Sequence, residues 1–403
     1  MSPRSKHEYL RAIALRYQRA PRVQKTRILD EYCATCGYHR KYAIIQLNAF
    51  RQRHRPAPPR RKPGRPSRYA VPELLQPLQH IWQTAHLPCS KRLKALLPLW
   101  LPAYQRSVHA LPHEVLAALQ TISPATIDRL LRPIRPLYRG VGRTTTKPGR
   151  LLRHQIPIRT NQWDETVPGF LEADTVAHCG DSTAGEYALT IDATDLATGW
   201  TEQRAVWGKG ETAVVQQLTD IEAALPFLLR GVDVDNGSEF LNWHLVRHFQ
   251  ERPTPVAFTR ARAYQKNDNA HIEQKNWTHV RQWLGYRRFD DPILVDRLND
   301  LYTTEWRLFH NFFLPSVKLL DKQRLGATIK KVHDAPQTPY QRVLAAPQVP
   351  AKTQVRLKTQ FGQLDPFQLR AAMDRKIRAI HQLVGPGKAH SEATIPAPGK
   401  VLF

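Results

Sequence analysis

The sequence predicts an α/β protein in which a mixed five-stranded sheet with flanking helices follows an all-helical, strongly basic region. Two observations carry that prediction. Before about residue 160 apolar residues recur every three or four places, whereas from residue 166 they fall into short β-favouring runs separated by turns. Charge divides at the same place. Residues 1–160 hold 31 Lys/Arg against 6 Asp/Glu, residues 161–403 hold 29 against 28, and residues 161–260 reverse the sign with 6 against 16. A basic front joined to an acidic middle suits a chain that grips a polyanion with one part and cations with another.

The 403 residues suffice for roughly two to four domains. With 41% hydrophobic and 9% aromatic residues the chain can fill its cores, which excludes global disorder. No apolar run nears the ~20 residues of a membrane span, MSPRSKHEYL is no secretory signal, and no membrane partner is expected. Four cysteines cannot form a disulfide framework, which fits a reducing cytoplasm.

Residues 1–53 read as a first helical module. Leu10, Ile13, Ala14 and Tyr17 mark a helix over Glu8–Arg19. A second, from Lys25, runs into Cys36-Gly37-Tyr38, and Ile44, Leu47 and Phe50 mark a third from Arg40. Helix, Gly-containing turn and basic helix outline a helix-turn-helix, with Arg40 and Lys41 placed for DNA; a small bundle with a basic solvent face is the plain alternative. Cys33-x-x-Cys36 with His39 lacks a second pair at zinc spacing and reads as structural helix cysteines. Residues 54–70 are a basic Pro-rich linker. Its Gly64-Arg65-Pro66, flanked by Lys62 and Arg68, suits either a narrow minor groove or a charged tether.

Residues 71–135 read as a second helical DNA-binding module. Ser90 and Ser123 are N-caps, Pro124 takes the first helical position, and Thr126 and Arg129 are expected on the outer face of another recognition helix. Residues 136–163 form a second basic connector, so residues 1–160 read as two modules on flexible strings. Residues 164–290 carry the sheet: strands at Phe170–Val176, Glu186–Ala193 and Trp200–Trp207, a helix at Glu211–Leu225, a strand at Leu228–Val234, a helix at Ser238–Gln250, a strand at Pro255–Thr259 and a long helix at Asn267–Leu284. This order makes the first and fourth strands neighbours at the sheet centre. Residues 291–345 look helical and then irregular, and residues 346–403 read as an extension ending in a loose tail.

Three carboxylates stand at informative places: Asp174 in the first strand, Asp235 at the end of the fourth, and Glu273 in the last helix. Adjacent strands let the first two meet, and the helix can lay Glu273 over the same edge. Carboxylates are hard oxygen ligands suited to Mg²⁺ or Mn²⁺, and two such ions ~4 Å apart can serve both sides of a phosphodiester displacement. Singly, each has a bland reading: Asp235 as a turn former before Asn236-Gly237, Asp174 on a solvated strand face, Glu273 as an exposed partner of Lys266. Glu172 and Asp233, two residues away on the same strand faces, are the nearest alternatives. His178 and Cys179 read as structural, being soft ligands. In the stretch Trp277 to Arg288 the tryptophans read as core, and Arg287 and Arg288 as phosphate contacts.

The order Asp174, then Asp235-Asn-Gly-Ser-Glu-Phe240, then Asn269-x-x-x-Glu273 resembles the DDE transposases and integrases of the retroviral-integrase superfamily, most of all bacterial insertion-sequence transposases. The resemblance spans about residues 164–285. It implies an RNase H-like catalytic core, with Asp174, Asp235 and Glu273 as a catalytic triad holding two Mg²⁺ (or Mn²⁺) ions. It also implies that Asn269, on the helix face of Glu273, lies near the scissile DNA. Val280 stands where many relatives carry a basic residue, and Arg281 and Lys275 are the nearest substitutes. The implied activity is that of a metal-dependent polynucleotidyl transferase. It binds the terminal inverted repeats of an insertion sequence, hydrolyses a phosphodiester to free a 3′-hydroxyl, and joins that end to target DNA. A homo-oligomer on double-stranded DNA, in a bacterial cytoplasm at the nucleoid, follows from the same resemblance. The alternatives are a catalytically inactive DNA-binding regulator and a structure-directed RNase H-like nuclease.

Overall fold

The computed structural model describes residues 1–53, 69, 72–138, 165–208, 210–234, 243–260, 275–325 and 328–384, and divides into two compact units, residues 1–67 and 68–403. No helix among the described residues is long and apolar enough to cross a membrane.

The first unit has three helices, α1 (Pro3–Arg19), α2 (Arg22–Cys36) and α3 (Arg40–Arg53). Ser2 caps α1 by accepting from the Ser5 backbone N–H, with Pro3 in the first turn. Gly37 ends α2 at φ +67°, a left-handed position that favours glycine. Leu10, Ile13, Ile28, Leu29, Tyr32, Ala43 and Leu47 close the core, and Cys36 is buried among them. Arg40 and Lys41 lie exposed on α3, and Arg40 is ion-paired with Asp30 of α2.

The second unit is built on β1 (Phe170–Ala177), β2 (Ala188–Asp195), β3 (Thr201–Trp207), β4 (Gly231–Val234) and β5 (Ala257–Arg260), in the order β3-β2-β1-β4-β5. The first three strands are antiparallel neighbours, and β1–β4 and β4–β5 are parallel. Gly231 lets β4 seat against β1, because a Cβ there would stand 2.2 Å from the Phe170 ring.

Strand alternation gives the sheet two unlike faces. Leu171, Ala173, Leu189, Ile191, Val232 and Val234 make one apolar face, which α8 (Glu211–Ala224) and α9 (Trp243–Gln250) cover. There the Phe249 ring stacks on Phe258 at 5.5 Å. The other face carries Glu172, Asp174, Thr190, Asp192, Thr194, Gln203 and Asp233. It is covered by α10, π-helical over Asn276–Arg281 and finishing at Gln282–Leu284, and by α11 (Ile293–Leu301), whose π-helical continuation Tyr302–Trp306 leads into α12 (Arg307–Phe313).

Residues 72–131 are not a module on a string. Their helices, α4 (Pro72–Thr84), α5 (Ser90–Ser107), α6 (His113–Thr121) and α7 (Pro124–Leu131), share one continuous apolar core with the sheet unit. Trp100 on α5 is the pin: fully buried, it donates from Nε1 to the Phe313 carbonyl at 3.1 Å and meets Phe309 edge-on. Thr126 is correspondingly buried, its hydroxyl engaged with Ser123 and Arg129, so it does not face outward for DNA. Apolar residues on both sides of these helices gave the reason, since each helix packs inward as well as on its neighbours. Trp100→Ala is expected to cost about 3–5 kcal/mol, the usual range for emptying a buried aromatic site. A urea melt followed by tryptophan fluorescence measures this; a cost under ~1 kcal/mol would mean the two regions hold together without the pin.

The C-terminal region is more ordered than the sequence suggested. The stretch read as irregular holds a hairpin, β6 (Leu319–Leu325) and β7 (Thr328–His333), followed by α13 (Pro339–Ala345). The extension contains α14 (Ala351–Gln363) and α15 (Pro366–Leu383), which buries Met373, Ile377 and Ile380 in the shared core. Arg370 of α15 donates to the Thr84 carbonyl at 2.9 Å, tying the last helix to the first of this unit. The expected tail, residues 385–403, lies outside the described residues.

Candidate active site

Three neighbouring strands bring the acidic residues together. Asp174 of β1 stands opposite Asp192 of β2, and Glu172 stands opposite Asp233 of β4, all four on the polar sheet face. Val234, the last described residue of β4, pairs with Ala173, next to Asp174. Asp174 is half-buried, whereas Glu172, Asp192 and Asp233 are buried. The Asp174 carboxylate accepts from its neighbour's backbone, Thr175 N–H, at 2.7 Å and from Asn276 Nδ2 at 2.6 Å. These two bonds fix the carboxylate plane, and the second also locks α10 onto β1. Asp233 accepts from the Thr259 hydroxyl at 2.6 Å, so this carboxylate is engaged toward β5.

Asp235 and Glu273 lie outside the described residues, as do Asn269 and the linker residues Lys62, Arg65 and Arg68. Among the described residues no group of three or more His, Cys, Asp or Glu is placed to hold a metal ion. The donors that are described on this face are nevertheless carboxylate oxygens, which match a hard divalent cation.

Asp192 and Asn276 are parts of the site that sequence reading missed. Asp192 accepts from Gln203 Nε2 at 2.8 Å and the Thr201 hydroxyl at 3.1 Å. Burial pushes its carboxyl up, opposed by those bonds and by the positive charge of Lys275. Burial in turn pushes the Lys275 ammonium down, and Asp192 opposes it. The sequence held a signal for Asp192 in Leu189-Thr-Ile-Asp-Ala-Thr194, an alternation whose polar set matches that of β1. Asn276 follows Glu273 by three places, a spacing that shares a helix face.

The expected DNA contacts divide. Arg288 has all five guanidinium N–H groups engaged, with the carbonyls of Cys179, Ser182, Ala184 and Glu186 and the Asp290 carboxylate, so none remains for phosphate. It staples the β1–β2 connection. Arg281 donates to the Ala177 carbonyl at 2.6 Å and lies over the Tyr286 ring, holding α10 to the end of β1. Lys275 turns inward, with Nζ 3.4 Å from the Gly199 carbonyl. Arg129 bonds the Thr126 hydroxyl at 3.0 Å, and Arg287 is half-buried. Trp283 is core as expected, but Trp277 is 42% exposed beside the exposed Tyr286. His178 is structural: it bonds Thr190 at 2.8 Å and stacks on Phe289.

A five-stranded mixed sheet in this order, with helices on both faces, is an RNase H-like core, and the segments ahead of it in the chain are helical. No family model matches the chain. The uncharacterized protein y4rM of Sinorhizobium fredii (strain NBRC 101917 / NGR234) is 39% identical over 347 residues, 85% of this chain and 96% of that protein, and the chain belongs to its family. Among solved structures, similarity extends to a simian T-cell lymphotropic virus intasome in complex with PP2A regulatory subunit B56 gamma, at 14% identity and TM-score 0.31 over 60% of this chain and 73% of that one. It extends also to the catalytic core domain of BIV integrase, at 13% identity and TM-score 0.27 over 43% and 91%.

Proposed function

We propose that this protein is a DNA transposase of the DDE type. The observation that carries the reading is the placement of Asp174: central in β1, beside the end of β4 that leads to Asp235, and bonded to Asn276 three residues after Glu273. Asp174, Asp235 and Glu273 would hold two Mg²⁺ or Mn²⁺ ions, which when bound activate an attacking oxygen and stabilise a leaving one. Asn276 keeps the Asp174 carboxylate oriented toward the helix. The buried acidic partners Glu172, Asp192 and Asp233 give this face a negative field that suits cations and opposes a bare DNA phosphate.

The basic N-terminal unit, with Lys41 exposed on α3, would grip the terminal inverted repeats of an insertion sequence, and the linker residues Lys62, Arg65 and Arg68 would add phosphate contacts. Two element ends must be processed together, so a dimer or larger assembly on double-stranded DNA, at the nucleoid of a bacterial cytoplasm, belongs to the same reading.

The test is nick mapping on DNA that flanks the gene, with Mg²⁺, beside a Glu273→Gln control. Discrete 3′-hydroxyl nicks at an inverted repeat, lost in the control while end binding persists, are the expected result. Full joining activity in the control would overturn the triad, and tight sequence-specific binding without any metal-dependent nick would point to a DNA-binding regulator.

A further inference from the structure

We propose that a recess between the β2–β3 turn, α10, the start of α5 and the segment before β6 is a binding site for one tetrahedral oxyanion of the phosphate class. Its volume is about 60 Å³, and its walls include Arg92, Lys275, Lys318, His279, Thr194 and Ser316. A water needs ~10–15 Å³ on the same measure, so the space takes a small polyatomic anion and excludes a nucleobase or sugar.

Four segments distant in sequence deliver cations to this one place. Arg92 comes from the first turn of α5, Lys275 from the start of α10, and Lys318 from the strand leading to β6, while Arg342 of α13 stands behind them. Each of the three lining cations bonds one backbone carbonyl, Arg92 Nε that of Pro315 at 2.6 Å, Lys318 Nζ that of Ala197 at 2.9 Å and Lys275 Nζ that of Gly199 at 3.4 Å, and Lys275 Nζ also meets His279 Nε2 at 3.4 Å. A guanidinium has five donors and an ammonium three, so these bonds leave donors over on every one.

The one carboxylate in the wall, Asp195, is turned to structural work. It accepts from the Gly169 and Thr198 backbone N–H groups and the Thr198 hydroxyl at 2.6–2.7 Å. Arg342 is matched by Asp334 at 2.9 Å. Asp192 also acts on Lys275, and Asp334 on Lys318. Arg92, Lys275, Lys318 and Arg342 thus stand against Asp192, Asp195 and Asp334, an excess of one cation, and like charges crowded in a recess are costly unless an anion offsets them. Burial first, and then the charge of Arg342, hold the Lys318 ammonium below its ordinary value, against the opposing pull of Asp195 and Asp334.

The occupant is either free phosphate or one phosphate of a DNA strand. The second source rests on the transposase reading: Lys275 is two residues past Glu273, so a phosphate lodged here would hold its strand beside the triad. The recess itself does not depend on that reading.

The full chain is melted, by tryptophan fluorescence, in inorganic phosphate and in chloride at equal ionic strength and pH. Phosphate is expected to raise the melting temperature above that in chloride, because a ligand held only by the folded state stabilises it. Lys318→Gln should abolish the difference and Lys318→Arg should keep it. In a parallel arm, binding to a random-sequence duplex is followed against salt. A strand phosphate as occupant predicts that Lys318→Gln lowers the slope of log affinity on log salt by about one. An unchanged slope with the phosphate effect lost assigns the site to free phosphate. Equal melting of the wild-type chain in phosphate and chloride overturns the proposal even if the variant folds poorly, as does a Lys318→Gln protein that keeps the whole phosphate effect. Metal-dependent nicking is read separately, so the failure of either idea is visible without the other.

Discussion

Asp174→Asn is expected to reduce single-turnover strand cleavage at least ~10³-fold, since a metal-binding carboxylate supplies several kcal/mol at the transition state and each 1.36 kcal/mol is tenfold in rate. The amide matches the carboxylate in shape; its oxygen can keep the Thr175 N–H bond while its Nδ2 donates to Asn276 Oδ1 once the Asn276 amide turns over, so the fold and the affinity for duplex DNA should stay close to wild type. Glu172→Gln is the informative companion. Glu172 lies two residues earlier on the same face, but it is buried opposite Asp233, whereas Asp174 is half-buried. Its substitution should therefore change stability more than rate. If Glu172→Gln abolished cleavage and Asp174→Asn spared it, the reacting set would have to be moved one pleat along β1.

The second large effect is expected in acid. His178 and His310 are buried and the His86 ring is largely enclosed, and burial lowers each to about 3. His279, its ring centre 4.4 Å from that of His310 and tilted against it, is held well below its ordinary value, again chiefly by burial. Each folded-state value lies under the unfolded one, so between pH 6.5 and 3 the unfolded chain binds more protons and stability rises with pH. It is complete above about 6.5 and lost on acidification. At pH 4.5 each of the three histidines favours unfolding on the order of 2–3 kcal/mol, and together they approach the ~5–15 kcal/mol that holds a typical domain. Asp192 and Asp195, whose carboxyls burial raises, work in the opposite sense but are two groups against these four.

All nine tryptophans fall in residues 68–403, so their fluorescence reports this unit alone. Acid unfolding should precede the carboxylate range, with a proton uptake that drops by about one in His178→Gln. That side chain can still bond Thr190. An unchanged uptake would mean that His178 is already protonated in the fold.

The sheet was legible because its alternation is clean: Thr190-Ile-Asp-Ala-Thr194 and Phe170-Leu-Glu-Ala-Asp174 each place small or apolar residues on one face. What period-2 patterning does not tell is whether the polar face meets water. Here it meets α10 and α11, and Tyr302 reaches down to bond Thr190 at 2.9 Å. Asp192 was passed over for that reason, since a polar residue in an alternating strand reads as exposed. The separate module expected at 71–135 fails for another reason. Basic, Pro-broken helices at 72–131 resemble a free DNA-binding domain in composition, and only the long-range contact of Trp100 with Phe313 shows where their apolar sides go. Helices α14 and α15 escaped notice because their apolar stripes are thin, with Leu357 the one buried residue of the first. Arg288 looked like a phosphate contact because sequence shows a charge and not the five acceptors that already surround it.

The lock between α15 and α4–α5 sets an order for synthesis. The helices at 72–131 leave the ribosome early, yet the Arg370–Thr84 bond and the contact of Trp100 with Phe367 wait for residues 366–383. At about 5–20 residues per second, the ~250 intervening residues take roughly 10–50 s to emerge. Throughout that interval the apolar sides of α4 and α5 lack their final partner, exposed to chaperones or to another nascent chain. A message broken before codon 366 would then yield a product that holds all of residues 1–160 and lacks the α15 share of the core that α4 and α5 need.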